Sequence, residues 1–276
     1  MTVVGTGINA LAQCTIETRS FFEHADVLYA LVTDHLTMSW LEDLNANIID
    51  LQEWYQFTDT GKSDDKSGPD VKRPRPETYK AITQTLCDAV KEGKNVVAVF
   101  YGHPGVFVWS SHAAIRQLKA EGYHAQMLPG ISAEDCLFAD LGVDPCENGC
   151  VQYEATAFIY YRRKIDPSVA MILWQLGVLG DDSFTLLRPR ENALAVLTEK
   201  LLTAYPSDHK LVIYEASNFP LGKPRIEWIS LKDLPSANVG LASTIYIPPA
   251  FEPEDDDYFI ARINSLPTLK PAVKLA

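Results

Sequence analysis

The sequence predicts an α/β protein of two lobes: an N-terminal parallel α/β sheet, then a C-terminal mixed, β-rich α/β lobe. Three observations predict it. In the first half, short uncharged apolar runs alternate with helical patterns across short connections, the signature of a parallel sheet. Three of those runs end in glycine turns, as strands do where an open sheet presents backbone to a ligand. In the second half strands dominate and helices thin out, which indicates a mixed or antiparallel sheet. At 276 residues the chain exceeds a typical single domain. The lobes are placed at 1–146 and 147–276, with the boundary near Cys146 to Cys150.

Thr2 to Thr6 reads as a first strand entering Gly5-Thr6-Gly7-Ile8-Asn9-Ala10, a match to G-x-G-x-x-G/A. It is a strand-to-helix turn, with an NAD site as the lesser alternative. A helix is expected from Ala12 to Glu23. Strands at Val27 to Val32 and Asn47 to Leu51 flank a helix at Thr37 to Leu44. From Thr58 to Pro76 the chain is polar and rich in Gly, Pro, Asp and Lys, a loop that reads equally as an active-site lid or a surface insertion. Ile82, Leu86, Ala89 and Val90 then repeat at helical spacing, and Gly93 stops that helix. If it starts at or just before Pro76, Arg75 and Tyr79 share one face of its first turn.

Asn95 to Phe107 is the centre of the sequence. Val96 to Phe100 is a buried strand that breaks into Tyr101-Gly102-His103-Pro104-Gly105. A helix from Val108 to Ala120 and a strand from His124 to Leu128 follow. That strand runs into Pro129-Gly130-Ile131-Ser132, where Ser132 caps the next helix with Asp135 reciprocating. If all three glycine turns open on one sheet edge, they ring one crevice. In the second half, strands are expected at Val151 to Phe158, Val169 to Gln175, Leu211 to Glu215, Arg225 to Ile229 and Ser243 to Ile247. One long helix is expected at Arg190 to Ala204 and a short turn at Leu231 to Leu234. Glu252 to Asp257 reads as a solvated acidic edge, and Ser265 to Ala276 as a featureless tail.

Composition excludes several functions. Hydrophobic residues make up 47% and the net charge is −12, with no cationic stripe. Nucleic acid is therefore not expected as a partner, nor an anionic membrane surface. Five scattered cysteines in a chain of this length read as reduced thiols, and no metal site is expected at Cys146 and Cys150. No apolar run has the length of a membrane span and no basic segment precedes one, so the expected location is the cytoplasm.

Taken in order, Gly-Thr-Gly (5–7), Phe-Tyr-Gly-His-Pro-Gly-Val-Phe (100–107), Pro-Gly-Ile-Ser-Ala-Glu (129–134), Trp-Gln (174–175) and Ser-Thr-x-x-x-Pro-Pro (243–249) resemble the tetrapyrrole methylase superfamily. Within it, Arg-Pro-Glu-Thr-Tyr (75–79) and Gly-His-Pro in place of the usual Gly-Asp-Pro make the chain most similar to the borosin α-N-methyltransferases. That resemblance implies two lobes with S-adenosylmethionine in the cleft, S-adenosylhomocysteine as product, and iterative methylation of backbone amides of a ribosomal precursor peptide. The alternative is a small-molecule methyltransferase acting on a tetrapyrrole-like ring. Fungal members carry the substrate as a C-terminal tail. Here the expectation is a separate precursor peptide, a homodimer, and a heteromeric complex with that peptide. Trp40, Trp54 and Tyr55, read as exposed aromatics, hint at the dimer.

An amide nitrogen is a weak nucleophile because its lone pair is delocalised. Methylating it needs a proton acceptor, charge stabilisation at the amide oxygen, and positioning. A phenol, with its ordinary pKa of about 10, becomes a usable base beside a guanidinium. The resemblance assigns Arg75 and Tyr79 to that pair, Tyr101 to the substrate oxygen or the cofactor carboxylate, and Tyr55 to a further catalytic role. It assigns cofactor contact to Tyr101, His103, Val106, Phe107, Ser132, Ala133, Gln175, Ser243 and Thr244. On chemistry alone, His103 as a base, Arg75 as a loop cation and Tyr79 as a packing ring stay open.

Overall fold

The computed structural model describes residues 1–9, 11–54, 75–181 and 188–267. Two five-stranded sheets organise it. The first holds β1 (Thr2–Gly5), β2 (Val27–Leu31), β3 (Ile48–Asp50), β4 (Val96–Phe100) and β5 (Gln126–Met127), in the order β3-β2-β4-β1-β5 with every pair parallel. Its helices are α1 (Ile16–His24), α2 (His35–Leu44), α3 (Arg75–Lys91) and α4 (Trp109–Ala120). They cover both faces. Val96, Ala98 and Phe100 pack with Ile82, Leu86 and Leu118 on one side, while Val97 and Val99 pack with Phe22 and Leu41 on the other. A strand buried on both faces can hold no charge, which is why β4 reads as an unbroken apolar run.

α1 begins four residues later than the sequence suggests. Thr15 caps it by accepting from the Thr18 amide, and local capping outweighs the weak apolar pattern before it. Trp40 is not an exposed aromatic: it meets Phe22 edge-to-face, 5.7 Å between ring centres, at the rim of the core.

α5 (Ala133–Leu141) carries the expected capping box and ends at Gly142 in the left-handed conformation. Its apolar side lies on the second sheet, where Leu137 packs with Ile172, Trp174 and Tyr214. Tyr214 donates to the Asp140 carboxylate at 2.7 Å. With the lobes divided at 146/147, a division we propose, α5 belongs to the first lobe by sequence and packs on the sheet of the second.

The second sheet holds β6 (Cys150–Glu154), β7 (Ala170–Trp174), β8 (Lys210–Glu215), β9 (Arg225–Ser230) and β10 (Thr244–Ile247), in the order β6-β7-β10-β8-β9. Only β6 and β7 are parallel. α6 (Ala155–Tyr160), α7 (Ala193–Leu201) and a 3₁₀ turn at Leu231–Ser236 cover its outer face. One expectation fails here and another is sharpened. The run to Phe158 is not all strand: Glu154 accepts from the Thr156 and Ala157 amides and starts α6, so one cap overrides an aromatic, β-prone sequence. The acidic edge is exposed as expected, and its end also starts a helix, because Asp256 caps α8 (Asp257–Asn264) through the Phe259 amide. α7 is also shorter than expected at both ends. No helix among the described residues is long and apolar enough to cross a membrane.

Candidate active site

The three glycine turns meet one another at the carboxyl edge of the first sheet. Gly7 and Gly102 form an isolated bridge. A Cβ on Gly5 would stand 2.1 Å from the Gly102 carbonyl oxygen, and one on Gly130 would stand 3.2 Å from the same atom. These glycines are required for backbone to pass against backbone. The Gly5-x-Gly7 turn is therefore occupied by protein, and Asp34, the acidic residue beyond β2, caps α2 through the Thr37 amide at 2.7 Å. That geometry removes the support for an NAD site.

Two cavities flank this knot. The first, about 450 Å³, is lined by Tyr101, His103, Val106, Phe107, Ser132, Ala133, Gln175, Ser243 and Thr244. All nine residues expected at the cofactor share it, drawn from both sheets. It also takes Ile8, Glu134, Gln152, Tyr153, Glu154, Trp174, Leu241 and Ala242, which sequence reasoning missed. The second cavity, about 590 Å³, holds Pro76, Tyr79, Lys80, Trp109, His112 and Val178 among its walls. Tyr79 stacks on Trp109 with ring centres 6.3 Å apart and planes inclined 27°. Arg75 opens α3 one turn before Tyr79. Tyr55 and the expected lid lie outside the described residues, as does the side chain of Arg75.

Phe107 and Gln175 belong to both cavities. Each holds a left-handed backbone, with φ of 55° and 62°. For a bulky or long side chain this costs on the order of 1–3 kcal/mol, and such strain gathers at functional sites. Phe107 comes from the first lobe and its ring packs 6.4 Å from that of Trp174, the neighbour of Gln175 in the second. The strained pair is the wall between the cavities.

Hydrogen bonds fix the groups around that wall. The Gly105 amide donates to His103 Nδ1 at 3.0 Å, so His103 carries its proton on Nε2 when neutral. His112 Nε2 lies 2.8 Å from the Gly105 carbonyl and must donate to it. The two histidines grip one residue of the turn from opposite sides. Trp174 donates to Gln152 at 2.9 Å, and Gln152 donates to Glu134. The Ser132 hydroxyl donates to Asp135 at 2.8 Å within its cap. Ser243 donates to Glu215 at 2.5 Å and accepts from the Gly240 amide at 2.8 Å, while Arg225 holds Glu215 at 2.9 Å. Burial pushes the Tyr101 phenol up to about 12, with Asp34 and Cys136 adding to the shift. At neutral pH Tyr101 therefore holds its proton and can donate a hydrogen bond. Among the described residues no group of three or more His, Cys, Asp or Glu is placed to hold a metal.

Comparison with known proteins bears on the family and the fold. The family model of tetrapyrrole (corrin/porphyrin) methylases matches residues 1–220. The chain is 41% identical over 253 residues to a methyltransferase/ribosomally synthesized cyclic peptide gymnopeptides precursor of Gymnopus fusipes, covering 90% of this chain and 57% of that protein. It is 37% identical over 271 residues to the methyltransferase/omphalotin A precursor of Omphalotus olearius, covering 97% and 62%. The chain therefore spans about three-fifths of the length of these relatives. Its fold is similar to that of uroporphyrin-III C-methyltransferase from Thermus thermophilus complexed with S-adenosylhomocysteine, with a TM-score of 0.59 and 13% identity over 90% of this chain and 97% of that one. The cobalt precorrin-4 methyltransferase of cobalamin biosynthesis gives 0.57 and 18%, over 91% and 95%.

Proposed function

The chain belongs to the tetrapyrrole (corrin/porphyrin) methylase family, and from that premise we propose an S-adenosylmethionine-dependent methyltransferase that iteratively methylates backbone amide nitrogens of a ribosomal precursor peptide. The observation that carries this reading is the pair of cavities joined at Phe107 and Gln175. One is suited to a methyl donor and the other, lined by Tyr79 and Trp109, to an extended acceptor.

The donor set of the first cavity fits S-adenosylmethionine. Ile8, Val106, Trp174 and Leu241 offer apolar walls for an adenine ring. The N-terminal end of α5 at Ser132 and Ala133 suits a carboxylate. Glu134 and Glu154 suit cationic groups. His103 and the turn from Leu241 to Thr244 close the cavity with backbone and small side chains. When bound, the cofactor supplies a methyl group carried on a sulfonium and leaves as S-adenosylhomocysteine.

In this mechanism Tyr79 accepts the amide proton, with Arg75 as its cationic partner. Tyr101, held as the neutral phenol, donates to the amide oxygen or to the cofactor carboxylate. Phe107 and Gln175 hold the acceptor nitrogen against the donor cavity and keep bulk water from it. Relatives named both methyltransferase and cyclic-peptide precursor support a peptide acceptor.

We further place the protein in the cytoplasm, as a homodimer in complex with a separate precursor. The outward apolar side chains of α8, Tyr258 and Phe259 among them, are consistent with a partner there, and light scattering decides the oligomeric state. The acceptor is tested by adding candidate precursor peptides in trans with S-adenosylmethionine and following the peptide mass. Gains in steps of one methyl, located on backbone amides by fragmentation, are expected. Methyl transfer to a tetrapyrrole and to no peptide would overturn the reading.

A further inference from the structure

A third hollow, about 460 Å³, lies at the far end of α6. α6 starts at Glu154 on the wall of the first cavity and ends six residues on. The hollow is therefore roughly 9 Å away along the helix axis, at 1.5 Å per residue. Tyr160, Tyr161, Arg162, Arg163 and Lys200 line it, and no Asp or Glu does. In a chain of net charge −12 this is a local reversal of sign. None of the ion pairs among the described residues involves Arg162, Arg163, Lys164 or Lys200.

The cations are arranged for different tasks. Lys200 donates to the carbonyls of Phe158, Ile159 and Tyr161, so it closes the end of α6 and is spent there. Burial, and then the nearby Arg163, lower its pKa. Arg163 lies over the rings of Tyr153 and Tyr161, at 4.9 and 5.6 Å. Tyr153 is also a wall of the first cavity. Arg162 and Lys164 are exposed, and the Tyr160 and Tyr161 rings are more than half exposed beside them. A compact anion gains little here, because the ammonium is already satisfied and the guanidiniums follow one another along the chain. An extended segment gains more: carboxylates pair in series with Arg162, Arg163 and Lys164, and apolar side chains lie on the tyrosines.

We propose that this basic, tyrosine-lined hollow docks an Asp- and Glu-rich segment of the peptide substrate, and so delivers its methylated part to the joined cavities. The proposal rests on the peptide reading above for the identity of the partner. A rival occupant is present in the chain. Glu252 to Asp257 is acidic, and it leaves the surface close by, since the Ala250 amide donates to Pro167 at 2.7 Å.

The test is fluorescence anisotropy with a short labelled peptide of Glu, Asp and Leu, beside its Gln/Asn counterpart and inorganic phosphate as competitor. The acidic peptide should bind, weaken as salt is raised, and bind about tenfold more weakly or worse to R162E/R163E. Arg162→Gln with Arg163→Gln gives a milder loss, and the melting temperature of each variant shows that it is folded. Joined to a methyl-accepting peptide, the acidic segment should lower KM and leave kcat unchanged, and that gain should vanish in R162E/R163E. Equal binding of acidic and neutral peptides, equal binding by folded R162E/R163E, or displacement by phosphate at matched concentration overturns the proposal. So does binding that appears only once Glu252 to Asp257 are made neutral, which assigns the hollow to the chain's own segment. The anisotropy arm reads docking even where no peptide is methylated, so failure of the site and failure of the peptide reading are told apart.

Discussion

The two joined cavities are built from different material. The first gathers residues from strand ends, glycine turns and one helix start, so its outline follows the backbone of both sheets even where side chains such as Ile8 and Trp174 face it. The second adds the side chains of two helices, Tyr79 and Lys80 on α3, Trp109 and His112 on α4, to the shared wall at Phe107 and Gln175. Backbone walls hold a ligand that never changes. Side-chain walls can be altered one at a time without disturbing a sheet. The difference teaches where to expect fixed cofactor chemistry and where to expect acceptor specificity. It also predicts that substitutions on the two sides separate into distinct kinetic classes.

The sharpest break is at Tyr79. Tyr79→Phe keeps the ring stacked on Trp109 and removes only the hydroxyl. If Tyr79 is the proton acceptor proposed above, its loss costs on the order of 10²–10⁴-fold in rate. The expected result is a fall of about 10²-fold or more in kcat, with the Kd for S-adenosylmethionine within about twofold of the original. Single-turnover assays and calorimetry measure the two quantities. A parallel loss of cofactor affinity would mean that the cavities are not separate in role.

The reverse class lies on the first cavity's far wall. Ser243 is part of that wall and is anchored from behind by Glu215, which Arg225 holds. The turn it steadies rests on Gly177, where a Cβ would stand 2.3 Å from the Gly240 carbonyl oxygen and 2.5 Å from the Leu241 Cα. Gly177→Ala must displace that turn, which carries cavity residues Leu241 to Thr244. Glu215→Gln weakens its anchors without adding bulk. Each variant should bind S-adenosylmethionine about tenfold more weakly, roughly 1.4 kcal/mol, while kcat at saturating cofactor stays near its original value. If kcat falls and Kd does not, the wall serves the acceptor instead.

The same contrast governs how much could be read from sequence. Turns and caps are local, so Ser132 with Asp135, the stop at Gly142 and the strand from Val96 to Phe100 were all legible. The nine first-cavity residues sit on such turns and strand ends, and a short motif carries each of them. Helix-face contributions are nonlocal. Trp109 and His112 are three apart on α4, a spacing that any helix shows, and nothing in the sequence says that their face meets Tyr79 across α3. The Glu134–Gln152–Trp174 chain joins three elements and has no local trace at all. α6 and α8 were missed for another reason: in each, one carboxylate cap outweighs a segment whose composition suggested strand or solvent.

A smaller effect is expected at the wall that the cavities share. Gln175 adopts a φ of 62°, which glycine accepts at far lower cost. Gln175→Gly should therefore lose little stability or gain up to about 1 kcal/mol, by release of strain. Activity should fall nonetheless if, as proposed, this side chain separates donor from acceptor. Thermal denaturation and turnover, measured on the same preparation, test the opposition. Lower stability with unchanged turnover would show that the left-handed residue is there for folding and not for the wall.

The smallest effect separates the two tyrosines by pH. In the folded chain burial raises the Tyr101 pKa from 10.0 to about 12. Below pH 10 the phenol is protonated whether the chain is folded or not, and its contribution to stability is fully present. Between pH 10 and about 12 the unfolded chain releases this proton first, so the contribution drains away as pH rises. Tyr101→Phe has no proton to release, and its melting temperature should fall less steeply than the parent's across that window. Tyr205, raised to about 12 by burial and then by Asp166, lies outside both cavities. Tyr205→Phe should flatten the stability curve in the same way and leave turnover intact, whereas Tyr101→Phe should flatten it and lower turnover as well. Parallel behaviour of the two variants in both measurements would remove Tyr101 from the chemistry and leave the first cavity as cofactor wall alone.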